Sequence, residues 1–346
     1  MNGHDIIVIG SSAGGIKALS TIVTSLPADI NAAIFIVQHL SANSPSFLPE
    51  ILGDVSSLPV VHPDDQEQFE TGKIYVARPD YHLLIARGHV RVVRGPQENR
   101  FRPAIDALFR SAARTYGPRV LGVVLTGYLD DGTVGLQAIK KRGGVTIVQD
   151  PGEAEYPAMP RSALRHVEVD HCPHLSDIPA LLLRLSKEPA QEEQTFSIPK
   201  AMEIESDIAE QAMNTKEFLD NVEKIGQRTT YTCPQCAGSI WQIGDEEPLR
   251  FRCHVGHSFT AGPFLAEQTN YVEDALWTAV RALEEKVTLT RQVAKRMSDS
   301  GLRAPAQKYQ EHADNLDKEV SIVRDLILCG FATKRNIDED EQKSRG

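Results

Sequence analysis

The sequence predicts an α/β protein: a main domain built on a doubly wound, mostly parallel sheet with an inserted β-hairpin, then a small cysteine-bearing unit and a C-terminal α-helical hairpin. Three observations carry this expectation. Short apolar runs alternate with amphipathic stretches from about residue 5 to residue 186. Cys233, Cys236 and Cys253 cluster in one short segment, and two long stretches beyond it repeat apolar residues at helical spacing.

In chain order, IIVIG, AIFIVQ, KIYVA, VLGVVLTG and VTIVQD are short and almost uninterruptedly apolar, as strands covered on both faces are. Segments such as AIDALFRSAARTYG and DGTVGLQAIKKRGG separate them and read as helices. Residues 82–95, HLLIARGHVRVVRG, place two alternating runs around Arg87-Gly88, a hairpin signal that could also supply an edge strand. The main domain is expected to end at residue 186, because KEPAQEEQTFSIPK is polar and carries two prolines, as a linker does. The linker and an acidic, weakly helical segment fill residues 187–228, the cysteine unit residues 229–262 and the helical hairpin residues 263–332. Its two stripes are Val272, Leu276, Ala279, Leu283, Val287, Ala294 and Tyr309, Leu316, Val320, Val323, Ile327, with a turn at Ser298 to Gly301 and a helix start at Pro305. The polar tail 333–346 is expected to be disordered.

Bulk properties exclude several function classes. Lys and Arg total 37 against 47 for Asp and Glu, a net charge of -10, which argues against binding nucleic acid through its phosphates. The start has no cationic segment and only a five-residue apolar run, too short for a signal peptide or membrane span, so a cytoplasmic location is expected. Cys172 and Cys329 stand alone and are expected to be buried rather than reactive.

The chemistry begins at Gly10-Ser-Ser-Ala-Gly14, a G-x-S-x-G pattern between an apolar strand and a helical run, the context that exposes a nucleophilic serine, here Ser12. A glycine-rich turn there could bind a dinucleotide instead, but GSSAGG lacks the G-x-G-x-x-G spacing, and AIFIVQHL ends in His39 rather than in an acid for a ribose. VLGVVLTGYLDDG runs into Asp130 and Asp131. Strand ends of an open parallel sheet share one rim, so Ser12, His39 and an aspartate converge as nucleophile, general base and orienting acid, with Asp131 or Asp130 in the last role.

The segments IVIGSSAGG, IVQHL, GKIYVARPDYHLLI, FRPAIDALFRSAA, LTGYLDDGTVGLQAIKKRGG and VQDPGEAEYPAMPRSAL resemble the catalytic domain of the chemotaxis protein-glutamate methylesterases (CheB type) over about residues 5–186. The resemblance implies Ser12 as nucleophile, His39 as base and Asp131 as orienter, with no cofactor for catalysis. It further implies hydrolysis of glutamate γ-methyl esters on a methylated chemoreceptor or related signalling protein, and deamidation of receptor glutamines as a further activity. Contact with the membrane would be indirect, through the receptor. Tyr128 stands where better-known members carry methionine, and Ala13 where threonine is common. The chain opens directly on the catalytic strand without the receiver domain of those members, so control is expected to be absent or to come from the C-terminal unit. A catalytically silent receptor-binding module and a general carboxylesterase are the competing readings.

Cys233-Pro-Gln-Cys236 and Cys253-His-Val-Gly-His257 carry a zinc-ribbon-like ligand set. Tetrahedral structural Zn²⁺ is expected on Cys233, Cys236, Cys253 and His257, the last preferred over His254 because a residue adjacent to Cys253 has less freedom to turn inward.

Overall fold

The computed structural model describes residues 3–42, 45–192, 196–211 and 215–329. They form two compact units, Met1–Leu265 and Ala266–Gly346. At the centre of the first lies a six-stranded, wholly parallel sheet in the order β3-β4-β2-β1-β7-β8. Its strands are β1 (Ile6–Ser11), β2 (Ala33–Gln38), β3 (Val60–Val61), β4 (Ile74–Val76), β7 (Val120–Val124) and β8 (Val145–Val148). The five expected strands are all present, and the two-residue β3 is added at the edge.

Alternation along each strand divides the core. Ile7 and Ile9 face a layer containing α1 (Gly15–Thr24), α2 (Leu48–Gly53) and α6 (Ile178–Leu185). Ile6 and Val8 face the other layer, with α3 (Ile105–Tyr116), α4 (Thr133–Lys141) and α5 (Ala158–His166). The hairpin forms as expected around Arg87-Gly88, but β5 (His82–Ala86) and β6 (His89–Val93) make their own antiparallel sheet rather than an edge of the central one. The Ile85 N–H donates to the Ser111 hydroxyl on α3, and the Thr115 hydroxyl donates to the Ile85 carbonyl, so α3 occupies both backbone groups of Ile85.

The packing does not break at residue 186. Residues 200–225 are two helices, α7 (Lys200–Ala209) and α8 (Thr215–Ile225). Met202 of α7 lies in the same buried cluster as β1 and α3, while Ile204, Ile208, Phe218 and Val222 enclose Trp241 and Ile243. The sequence marks this segment as acidic and weakly helical, yet Glu205 is buried between Arg250 and Arg252. A four-stranded antiparallel sheet follows, β9 (Gly226–Thr232), β10 (Ser239–Ile243), β11 (Arg250–Cys253) and β12 (Ser258–Thr260), in the order β12-β11-β10-β9. Cys172 and Cys329 are exposed, contrary to expectation, because both lie in irregular backbone beside an element rather than on its inner face.

In the second unit α9 (Ala261–Asp299) and α10 (Arg303–Leu328) pair through Val280, Val287, Leu316, Val320 and Ile327. The stripes differ in phase from expectation at their outer ends: Val272 and Tyr309 are exposed, Ala279 yields to Val280, and Ala306 and Ala313 fill the inner face of α10. α10 begins at Arg303, with Pro305 inside its first turn. The expected disordered tail lies outside the described residues.

Candidate active site

The chain builds β1, β2 and β4 outward to one side, then crosses to β7 and β8 on the other, so the topology reverses between β1 and β7. Open parallel sheets bind ligands outside their strand ends at such a reversal. Ser12 follows β1, His39 follows β2, and Asp130 and Asp131 follow β7. The last β1–β2 pair is Ser11 with Gln38, and the His39 N–H donates to the Ser11 carbonyl at 3.1 Å, which puts Ser12 and His39 on neighbouring strand ends about 4.8 Å apart.

Two hydrogen bonds and one left-handed glycine set the turn carrying Ser12. Its N–H donates to the Thr126 carbonyl at 3.0 Å, and its carbonyl accepts from the Gly15 N–H at 2.9 Å. Gly14 sits at φ 74°, a left-handed conformation that glycine adopts without steric cost, and opens α1. Gly127 must be bare as well: a Cβ there would lie 2.8 Å from the Ser12 Cβ and 2.1 Å from the Met159 sulfur. Beneath the turn Gln38 donates its side-chain amide to the carbonyls of Ser12 (2.7 Å) and His39 (3.0 Å) and accepts the Ser11 hydroxyl (2.7 Å), so one buried amide ties both strand ends together. The Ala13 and Gly14 N–H groups make no hydrogen bond within the described residues.

His39 is nearly buried, with 3% of its side chain exposed. Nε2 faces Asp131 Oδ2 at 2.8 Å. Nδ1 is buried and unpartnered, and the Phe101 ring stacks on the imidazole at 3.5 Å between centroids and 10° between planes. Asp131 is 1% exposed, and every lone pair has an assignment. Oδ2 accepts the Ile105 N–H (2.7 Å), while Oδ1 accepts the Asp106 N–H (3.2 Å) and the Asn99 side-chain amide (3.1 Å). Ile105 and Asp106 begin α3, whose otherwise unsatisfied N-terminal donors suit an anion. Burial alone would raise the Asp131 carboxyl; the hydrogen bond and charge of His39, the Ile105 N–H and Asn99 outweigh it and hold Asp131 below its ordinary value.

The neighbouring acids differ. Asp106, buried beside the Asp131 charge, is raised well above its ordinary value, and it accepts from the N–H groups of Gly132 (3.0 Å) and Gly135 (2.6 Å) at the start of α4. Asp130 does not reach His39; it accepts the Thr260 hydroxyl at 2.7 and 2.8 Å, and burial pushes it up to about 6. Asn99, Arg100 and Leu129 all have positive φ (49°, 76° and 61°), so the loops flanking His39 and Asp131 are held in strained conformations.

Of the groups expected from sequence, Ser12, His39 and Asp131 all lie at this rim, and His39 and Asp131 are joined by a hydrogen bond. Gln38, Asn99, Phe101, Asp106 and Thr260 were not anticipated. Gln38 and Asp106 had one available signal, being polar residues inside the motifs IVQHL and FRPAID, though an acid in a first helical turn is otherwise ordinary; Asn99 lies two residues ahead of FRPAID.

Cys233, Cys236, Cys253 and His257 also come together, with ligand atoms within 4.8 Å of one another. Cys236 and Cys253 sulfurs are 3.7 Å apart, and His257 Nδ1 lies 3.7 and 3.5 Å from the sulfurs of Cys233 and Cys253. Tetrahedral zinc with bonds of about 2.3 Å to sulfur and about 2.0 Å to nitrogen requires separations of about 3.8 and 3.5 Å, so the donor set fits. His254 instead packs against Gly238. No described helix is long and apolar enough to cross a membrane.

The sequence profile of the CheB methylesterase family matches residues 7–182. A relative from Leptospira interrogans is 40% identical over 185 residues, covering 53% of this chain and 96% of the relative. Relatives named protein-glutamate methylesterase/protein-glutamine glutaminase occur in Methanosarcina mazei, 38% identical over 47% of this chain, and Archaeoglobus fulgidus, 36% identical over 46%. The matched region spans about half of each of these two, 46%. The crystal structure of the Thermotoga maritima CheB methylesterase catalytic domain aligns in full on 54% of this chain, with a TM-score of 0.51 and 33% identity. With its sheet order, its strand-end serine and histidine and a profile match over more than half its length, the chain belongs to the CheB methylesterase family.

Proposed function

We propose that the protein hydrolyses glutamate γ-methyl esters on a chemoreceptor or related signalling protein, releasing methanol, with Ser12 as nucleophile, His39 as general base and Asp131 as orienter. The observation that carries this reading is the division of labour on His39: one nitrogen bound by a fully satisfied aspartate, the other buried, unpartnered and on the strand end beside Ser12. Asp131 accepts Nε2–H, which leaves the lone pair on Nδ1 to take the Ser12 proton, the reverse of the ring assignment in chymotrypsin-like triads. Ser12 Oγ attacks the ester carbonyl, and the Ala13 and Gly14 N–H groups at the start of α1 are the donors available to the oxyanion. His39 then protonates the departing methanol, and water activated by the same nitrogen frees the glutamate. A glutamine side chain would follow the same path with ammonia leaving.

The four-residue donor set is proposed to hold structural Zn²⁺. All four ligands come from protein, so the ion would stabilise the small β9–β12 sheet and leave no open position for a substrate.

Methanol release from a methyl-esterified receptor fragment, compared with hydrolysis of small nitrophenyl esters, tests the reading. Turnover of the receptor fragment in preference to the nitrophenyl esters is expected. Rapid nitrophenyl hydrolysis with no receptor preference would make the protein a general carboxylesterase; receptor binding with no hydrolysis of either would make it a silent module.

A further inference from the structure

The cysteine-bearing sheet reaches the catalytic centre through one side chain. The Asn99 N–H donates to the Ser258 carbonyl at 2.7 Å, and the Ser258 N–H to the Gln97 carbonyl at 3.1 Å, so β12 continues onto the loop before α3. Asn99 is 3% exposed and its side chain is fully used. One amide hydrogen goes to Asp131 Oδ1 (3.1 Å), the other to Asp106 Oδ2 (2.8 Å), and the amide oxygen accepts the Thr260 N–H at 2.9 Å. An asparagine amide can sit in either of two flipped orientations, and its partners decide which is adopted. The wrong flip would point the oxygen at the Asp131 carboxylate. The Thr260 N–H is the donor that keys the right one, while the Thr260 hydroxyl holds Asp130 aside.

We infer that Asn99 is a positioning residue for hydrolysis, and that the cysteine unit acts on the reaction by fixing it: Thr260 sets the Asn99 amide, which holds the Asp131 carboxylate against His39. The relative from Leptospira interrogans, 96% of which aligns within 185 residues of this chain, shows that the family fold occurs at about that length, so the cysteine unit is an added support in this chain. The inference rests on the triad reading above.

The test uses the full chain with bound Zn²⁺ and measures methanol release by wild type, Ser12→Ala, Asn99→Gly, Cys236→Ser and the last two combined. Glycine is chosen at position 99 because it accepts φ 49° without strain; Asn99→Ala, run beside it, adds a backbone cost. Asn99→Gly is expected to lower kcat about tenfold to a hundredfold, the range for losing a hydrogen bond to a charged group, with KM within about twofold of wild type. Cys236→Ser is expected to lower kcat too, but to add less than about twofold once Asn99 is glycine, because both act through one bond. The low-field proton resonance of His39 Nε2–H should shift or broaden in Asn99→Gly while the melting curve remains cooperative. Wild-type kcat in Asn99→Gly, losses that multiply as independent effects, or an unmoved His39 resonance would each overturn the inference. Full activity in Ser12→Ala would instead overturn the triad reading beneath it.

Discussion

The catalytic sheet and its junction with the cysteine unit are assembled from opposite materials. In the sheet, β1 and β2 bury Ile6, Ile7, Val8, Ile9, Ile34, Phe35, Ile36 and Val37, and helices cover both faces. At the junction, Glu98 is 2% exposed and takes both Arg110 (2.7 Å) and Arg252 (3.2 Å), while Glu205 takes Arg250 (2.7 Å) and Arg252 (3.2 Å). Apolar contact is non-directional, so the sheet gains stability from area and tolerates small changes of shape. Buried ion pairs demand exact partners, and removing one leaves a desolvated charge behind. The sheet therefore supplies stability, and the junction supplies register, at the point where Asn99 must meet Asp131.

That contrast can be broken or sharpened experimentally. The largest effect belongs to neither region's stability: Asp131→Asn should leave the fold intact yet lower kcat about a thousandfold to ten-thousandfold, because His39 loses its orienting acceptor. Retained activity would remove Asp131 from the mechanism. At the junction, Arg252→Met removes the cation shared by Glu98 and Glu205, leaving each buried acid a single partner, Arg110 and Arg250, and should cost about 3–5 kcal/mol in denaturant unfolding. A loss under 1 kcal/mol would mean that the charges are not cooperating there.

Acid should act on the junction by the same logic. Burial would raise Glu98, but Arg110 and Arg252 bring it down to about 2 from an ordinary 4.5. A lowered folded value contributes stability that is complete above about pH 4.5 and is lost as pH falls toward 2, about 3 kcal/mol in total. Asp130, raised to about 6, titrates in both proteins and cancels in the comparison, so the difference in unfolding free energy between wild type and Glu98→Gln should be flat from pH 5 to 7 and shrink below. A pH-independent difference would contradict the ion-pair account. The smallest effect is expected in the sheet, where Ile9→Val removes one methylene and should cost about 0.5–1.5 kcal/mol without altering kcat.

The same contrast explains what could be read from sequence. Apolar runs announce buried strands locally, so β1, β2, β4, β7 and β8 were legible, whereas Val60–Val61 is too short to signal. The strand-end placement of Ser12, His39 and Asp131 was legible because each follows such a run. The junction was not: Glu205 gains its meaning from Arg250 and Arg252, more than forty residues away, and locally resembles any acid on the solvated face of a weak helix. Asn99 was hidden for the same reason, since its partners Asp131 and Thr260 come from two other segments. The metal-ligand set was visible because its pairs are fixed by local spacing, C-x-x-C and C-x-x-x-H. The helical stripes slipped because α9 and α10 carry apolar residues on more than one face, including exposed Leu289 and Ile322.

The central claim is that Ser12 attacks a methyl ester, and its most direct test is methanol release from a methyl-esterified receptor fragment by wild type and Ser12→Ala under identical conditions. The account predicts turnover by wild type and a loss of about a thousandfold or more in the variant, with receptor binding and melting temperature unchanged. Equal methanol release by the two proteins would contradict it and move the reaction to another group.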